Sequence, residues 1–72
     1  MKIQTSYVTL QQVLKYTGFA SSGGSVKFLL EENIVLVNGV RETRRGRKLY
    51  PGDCVRYEDQ SVCIEFDQDH ES

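Results

Sequence analysis

Hydrophobic and polar residues follow two different periods along the chain, helical in its first half and strand-like in its second. Residues 2–8 mix β-branched and aromatic side chains, which predicts a short first strand. Apolar residues then recur at helical spacing, at Leu10, Val13 and Leu14. Thr9 with Gln12 three positions later matches a capping box, and Gly18 is a typical end. We therefore predict a first helix over residues 10–17.

The segment 21–25, Ser-Ser-Gly-Gly-Ser, has two interpretations. It is a flexible linker, because glycine and serine offer little side chain to pack. Alternatively, Ser22 caps a second helix that Asn33 ends in the left-handed conformation. The apolar positions of that helix are Val26, Leu29 and Leu30. We favour the helix, because five residues between two amphipathic patterns make a poor domain boundary in a chain this short.

Beyond Asn33 the residue pattern is that of a sheet. The β-branched run 34–37 ends at Asn38-Gly39, a dipeptide typical of a two-residue hairpin turn, and residues 40–43 return as its partner strand. Further on, the segment Tyr50-Pro51-Gly52-Asp53 predicts a type II turn, with proline and glycine at the two central positions.

A second hairpin is predicted from residues 54–58 and 61–66 around an Asp59-Gln60 loop. In that register Tyr57 faces Val62, Val55 faces Ile64, Arg56 opposes Cys63 and Cys54 opposes Glu65. The two cysteines would then be diagonal rather than directly opposed. Cys54 and Cys63 could form a disulfide, bind a metal together or remain two ordinary thiols. The spacing Cys-x8-Cys, with the only histidine at position 70, matches no zinc-binding pattern. We predict two separate, reduced thiols.

Composition indicates a small globular protein with unevenly distributed charge. The 72 residues are 39% hydrophobic and 26% charged, and no apolar run approaches the roughly 20 residues that span a bilayer. The amino terminus lacks the features of a secretion signal, so we expect a cytoplasmic protein. We predict one domain over residues 1–66 and an acidic flexible tail over 67–72. Residues 1–57 carry a net charge of +5 and residues 58–72 a charge of −6, which bears on the choice of partner.

The residues that usually carry catalysis are missing. The only histidine lies in the tail, neither cysteine has an activating neighbour, and no nucleotide-binding glycine motif occurs. We therefore expect no enzyme activity, no cofactor, no metal and no small-molecule substrate.

A basic stretch is the main candidate for a binding site. Residues 41–48 contain a single acid, Glu42, and five cations, Arg41, Arg44, Arg45, Arg47 and Lys48. The arginine guanidinium pairs with phosphate in a bidentate manner, whereas adjacent cations without a polyanion repel one another. A solvated surface loop is the alternative, but we favour a nucleic-acid contact.

The Ser-Gly-Gly segment is a second candidate. If Gly23 and Gly24 open a helix, their N–H groups face outward at the positive end of the helix dipole, where a phosphate can approach closely. Lys27 lies one turn further along. A simple turn into the helix is an equally good interpretation of the glycines.

The order of these motifs resembles a known family. Leu10-x3-Leu14-x3-Gly18, the serine turn, Val35-x-Val37-Asn38-Gly39 and Pro51-Gly52-Asp53 together are similar to the RNA-binding domain named after ribosomal protein S4. The resemblance runs from Leu10 to Tyr57. Many members have Ser-Arg where this chain has Ser22-Gly23, but the combination of SSGG and RRGRKL resembles a subfamily of very small, free-standing bacterial proteins linked to ribosomes or their assembly.

The resemblance implies an α+β fold, the alpha-L motif, with two packed helices against a small, mostly antiparallel sheet. It also implies an RNA-binding protein linked to ribosomes. Together with the basic stretch and the missing catalytic residues, this leads us to expect a non-catalytic protein that binds structured ribosomal RNA through phosphates and does not bind membranes. Tyr16, Phe19 and Tyr50 are the only candidates for base stacking that the sequence offers, and we expect each of them in the core or at its rim. A protein-interaction module with a basic face and an accessory domain of an enzyme are the rival functions. The predicted RNA-binding residues are Ser22, Gly23, Gly24, Lys27, Asn38, Arg41, Arg44, Arg45, Arg47 and Lys48.

Overall fold

The helices and strands of the chain are short and mostly follow the predicted order. The computed structural model describes residues 1–20 and 23–67. The helices are α1 (Leu10–Thr17) and α2 (Gly23–Glu31). The strands are β1 (Lys2–Ile3), β2 (Val8–Thr9), β3 (Val35–Val37), β4 (Val40–Arg41), β5 (Lys48–Leu49), β6 (Cys54–Tyr57), β7 (Gln60–Cys63) and β8 (Glu65–Phe66).

Local capping residues set the limits of α1, and a left-handed residue follows α2. The Thr9 hydroxyl accepts from the Gln12 N–H, and the Gln12 side chain accepts from the Thr9 N–H at 2.9 Å, so the predicted capping box is confirmed. Gly18 ends α1 with φ 84°. The helical interpretation of the serine-glycine segment is also confirmed, and Asn33 follows α2 with φ 59°. The predicted cap of α2, Ser22, lies outside the described residues.

The main sheet has the strand order β4-β3-β6-β7, with every neighbouring pair antiparallel. Asn38 and Gly39, at φ 54° and 83°, form the turn between β3 and β4, as predicted. Gly52 has φ 103° and the Asp53 N–H donates to the Tyr50 carbonyl at 2.9 Å, which confirms the predicted type II turn.

The predicted register of the second hairpin is wrong. Its loop is Glu58-Asp59 rather than Asp59-Gln60, so Val55 pairs with Val62. The shift moves each partner by two residues, which leaves every side chain on its predicted face, and the hydrophobic pattern alone therefore fits either register.

The shifted register also overturns the prediction of two separate thiols. Cys54 lies directly opposite Cys63, with the two Cα atoms 3.9 Å apart, and their sulfur atoms are bonded in a disulfide. The prediction that the two cysteines lie diagonally depended on the Asp59-Gln60 loop, and it is wrong for the same reason.

Residues near both ends of the chain pair with each other, which the sequence pattern did not indicate. The predicted first strand is two strands: β1 pairs in parallel with β8, and β2 pairs antiparallel with β5. The Asp67 N–H donates to the Ile3 carbonyl at 2.7 Å. Residue 67, the first of the predicted tail, thus bonds to β1, and residues 68–72 lie outside the described part.

One apolar cluster joins both helices to one face of the main sheet, in agreement with the predicted α+β class. From the sheet it takes Val35, Val37 and Val55. The opposite face, here called the outer face, carries Leu36 between Arg41 and Arg56. The helices contribute Leu10, Val13, Leu14, Val26, Leu29 and Leu30. None of the helices in the described ranges is long and apolar enough to cross a membrane.

Candidate nucleic-acid interface

The basic loop, residues 42–47 between β4 and β5, is built around a buried carboxylate. Glu42 is only 6% exposed. Its Oε2 accepts from the Thr43 N–H at 3.0 Å and the Arg44 N–H at 2.9 Å. Arg44 Nε donates to the same oxygen at 3.0 Å, and Arg47 Nη1 donates to Oε1 at 2.8 Å. One acid therefore orders the loop and holds two of its arginines.

These contacts keep Glu42 ionised far below neutral pH. Hydrogen bonds from the Arg44 side chain are the largest influence and lower the pKa of Glu42 from its usual 4.5 to about 2, against the opposing effect of burial. Arg47 adds to the lowering. In the sequence Glu42 is only a single acid among five cations, and nothing in that pattern indicates this role.

The basic loop is also bonded to the start of α1. The Leu10 N–H donates to the Arg47 carbonyl and the Gln11 N–H to the Arg45 carbonyl, both at 2.9 Å. A helix begins with N–H groups that have no partner within the helix, and the loop satisfies two of them here. The loop is thereby held both by Glu42 and by α1.

Arg45 projects from a turn that these bonds hold in place. The Arg47 N–H donates to the Arg44 carbonyl at 3.2 Å, which closes a turn with Arg45 and Gly46 at its centre. Unlike Arg44 and Arg47, Arg45 is exposed and its side chain bonds to nothing in residues 1–20 and 23–67. Its guanidinium donors are therefore available to an external acceptor.

The structure brings Arg45 together with a cation of α2. Lys27 and Arg45 line one cleft of about 280 Å³. The other lining residues are Leu30, Glu31 and Thr43. Gly23 and Gly24 open the same helix, as the phosphate hypothesis requires, and Gly24 is exposed. Two sequence-predicted candidates from separate parts of the chain thus meet at one surface.

A larger cleft of about 600 Å³ lies at another side of Arg45. Tyr7, 38% exposed, is part of its lining, and the Tyr50 ring lies 5.9 Å away from the Tyr7 ring. Lys48 Nζ stands 5.0 Å from the centre of the Tyr7 ring. The remaining lining residues are Thr5, Val8, Thr9, Gln11, Gln12 and Gly46.

Aromatic side chains are more exposed than predicted. Tyr16 is 72% exposed rather than in the core or at its rim, and Phe28 on α2, which sequence analysis did not single out, is 60% exposed. Phe19 does pack against the core, and the centre of its ring lies 5.4 Å from the centre of the Tyr57 ring. Tyr50 is 49% exposed. The available signal for the exposure of Phe28 was that the residues three and four positions away, such as Ser25 and Glu31, are not apolar.

Two predicted contact residues lie apart from this surface. The Asn38 side chain donates to Asp53 Oδ1 at 3.0 Å and accepts from the Cys54 N–H at 2.9 Å, so it ties the hairpin turn to β6. Together with the Tyr50 N–H, which is the larger influence, Asn38 lowers the pKa of Asp53. Arg41 lies on the outer face of the sheet and lines a third, separate cleft.

Comparisons with known proteins agree with this architecture. A family model described as the S4 domain matches residues 1–65. A protein of Bacillus subtilis (strain 168) named "Probable ribosome maturation protein RlbA" is 48% identical over 58 residues, which cover 81% of this chain and 82% of that protein. No solved structure gives a significant match. The extent of these matches shows that the chain belongs to the S4 domain family.

Proposed function

We propose that this protein binds structured RNA through its phosphates and carries out no catalysis. The observation that carries the proposal is the meeting of Lys27 and Arg45 at one cleft, with Arg45 held in place by the loop around Glu42. Double-stranded RNA is recognised mostly by its shape and by phosphate and 2′-OH contacts. A pair of exposed cations at one cleft, one of them on a loop whose backbone is held in place, suits that kind of recognition.

Membership in the S4 domain family supports RNA as the partner. The name of the similar Bacillus protein further supports a role in ribosome maturation, and we extend that role to this chain. The RNA is then ribosomal, and the protein acts in the cytoplasm, where ribosomes are assembled.

The cations of the surface have different roles. Arg45 and Lys27 make the main phosphate contacts, and Lys48 adds positive charge beside Tyr7. The N–H groups of Gly23 and Gly24 receive a further phosphate at the start of α2, next to Ser22.

Arg44 and Arg47 act partly through the loop. Both are ion-paired with Glu42, and the Arg44 side chain is nevertheless 74% exposed, against 32% for Arg47. A guanidinium has five N–H donors, so Arg44 can hold Glu42 and bind a phosphate at the same time. We place Asn38 and Arg41 outside the contact surface, the first as a stabilising residue and the second as a source of long-range charge only.

Single substitutions on the two faces of the protein test this proposal. Arg45→Ala and Lys27→Ala should each weaken binding to a structured ribosomal RNA fragment by about tenfold. Each should also lower the slope of log affinity against log salt by about one, because one phosphate contact is lost. Arg56→Ala, which removes the same charge from the outer face, is the matched control and should leave the slope unchanged.

The outcome also separates RNA from an acidic protein as the partner. An excess of structured RNA should displace the bound fragment far better than an equal charge of polyglutamate. If Arg45→Ala and Lys27→Ala keep both the affinity and the salt slope of the parent protein, the proposed contact surface is wrong. If polyglutamate competes equally well, the surface recognises charge and not RNA.

A further inference from the structure

The cleft beside Tyr7 has a lining unlike that of a phosphate site. Its lining residues include Tyr7, which is 38% exposed, together with Arg45 and Gln11. Gln11 is half-buried, and its side chain bonds to nothing within the described ranges of the chain. An unpartnered amide offers both a donor and an acceptor to an incoming ligand. A ring, a cation and an amide in one cleft together fit a nucleotide.

We propose that this cleft receives one unpaired nucleotide of the bound RNA. Its base stacks against Tyr7 and bonds to the Gln11 amide through a polar edge, while its phosphate pairs with Arg45. This inference rests on the proposed function and adds the class of RNA that is bound, a duplex interrupted by an unpaired nucleotide. Unstacked bases of RNA are commonly held on aromatic side chains and bonded at their edges.

The position of Arg45 supports this assignment. It lines both the cleft shared with Lys27 and the cleft beside Tyr7. A chain of phosphates bound along the first cleft therefore reaches the second cleft at the same arginine. A base that is unpaired at that point has an open space of about 600 Å³ next to it, and sites of roughly 300–1,000 Å³ are usual for small ligands.

The Tyr7 backbone is held in place before any ligand binds. Its carbonyl accepts from the Thr5 hydroxyl at 2.8 Å, and the next residue, Val8, is buried and paired with Leu49. The Tyr50 ring lies next to the Tyr7 ring, and Lys48 Nζ lies over one face of it, which leaves the other face for a base. A ring held in this way loses little conformational freedom when a base stacks on it, which favours binding.

Gly46 offers a way to fill the cleft without altering Tyr7. It lines the cleft, a Cβ atom added to it would have nothing within 4 Å, and its φ is not in the left-handed region. A larger side chain is therefore compatible with the turn and would take up part of the space beside Tyr7. Gly46→Ala adds one methyl group as the mild control, and Gly46→Leu places a bulky side chain at the cleft.

Two RNA duplexes of equal length, one fully paired and one with a single bulged adenosine, provide the test. The parent protein should bind the bulged duplex about tenfold more tightly, the effect of one base stacked on an aromatic ring. Gly46→Leu and Tyr7→Ala should bring this ratio close to one while binding of the paired duplex persists. Gly46→Ala and Arg56→Ala should keep the ratio. A bulged 2-aminopurine should change its fluorescence on binding only where the ratio is kept.

The outcomes distinguish this inference from the proposed function. If the parent protein binds both duplexes equally, or if Gly46→Leu and Tyr7→Ala leave the preference intact, the cleft does not hold the nucleotide. Binding of the paired duplex that depends on Arg45 would meanwhile uphold the proposed function. If neither duplex binds, the proposed function is wrong and this inference falls with it.

Discussion

Replacing Glu42 with glutamine should destabilise the whole fold, because this carboxylate lies at the centre of the basic loop. The substitution keeps the size of the side chain and removes its charge. Arg44 and Arg47 then lose their ionic partner, and the amide nitrogen of the new side chain cannot accept their hydrogen bonds. Since the loop also bonds the first N–H groups of α1, its disorder would reach the helix.

The size of the effect follows from the pKa of Glu42. The lowering of the pKa from 4.5 to about 2 corresponds to about 3 kcal/mol of stabilisation of the folded state, at about 1.36 kcal/mol per pKa unit. Glu42 itself is buried, but the Arg44 side chain is 74% exposed, so solvent screens part of the attraction. We therefore expect Glu42→Gln to lower the free energy of unfolding by about 2 kcal/mol at pH 7. For a domain of this size the unfolding midpoint would fall by about 8–16 °C.

The effect should depend on pH in a defined direction. A pKa that is lower in the folded state contributes stability above pH 4.5, and this contribution is lost as the pH falls from 4.5 through about 2. The difference between the parent protein and Glu42→Gln should therefore be full at pH 7 and shrink steadily below pH 4.5.

Urea unfolding followed by circular dichroism at several pH values measures this difference. Glu32→Gln, at an exposed position after α2, is the matched control and should change stability by no more than about 0.5 kcal/mol. If Glu42→Gln is as stable as Glu32→Gln at pH 7, or if its deficit is the same at pH 7 and pH 2.5, the proposed role of the carboxylate is wrong.

Two further predictions concern residues away from the contact surface. Reduction of the Cys54–Cys63 disulfide should lower the free energy of unfolding by about 2–3 kcal/mol, because it frees a short closed loop. RNA affinity measured with and without reductant under folded conditions should agree, since both cysteines lie on the outer face; a loss of affinity would place the hairpin in the site. Gly39→Val should cost about 1–2 kcal/mol, because Gly39 has φ 83°. The RNA affinity of Gly39→Val should be retained at temperatures below its unfolding midpoint. A loss of affinity at those temperatures would show that the turn contacts the RNA.

Much of the fold was determined by local sequence signals. Thr9 with Gln12, Gly18, Asn38-Gly39 and Gly52 were each assigned correctly from the sequence, because a cap or turn depends on a few adjacent residues. The period of the apolar residues was sufficient to place both helices, for the same reason. The resemblance to the S4 family, which rests on the order of these signals, is confirmed by the match over residues 1–65.

Only the tertiary structure decided how the basic residues divide. The sequence presents five neighbouring cations as equivalent, but burial of Glu42 attaches Arg44 and Arg47 to it and leaves Arg45 available. The proximity of Arg45 to Lys27 depends on the packing of α2 beside the loop. These residues are 18 positions apart in the chain, and no local sequence pattern predicts that they meet.

The same distinction explains the register of the second hairpin and the pairing of the chain ends. Registers that differ by two residues place the same side chains on the same faces, so the hydrophobic pattern could not decide whether Cys54 meets Cys63. The parallel pairing of β1 with β8 joins segments more than 60 residues apart. Such contacts form only when the whole core assembles, because each is stabilised by packing between distant segments rather than by the preferences of adjacent residues.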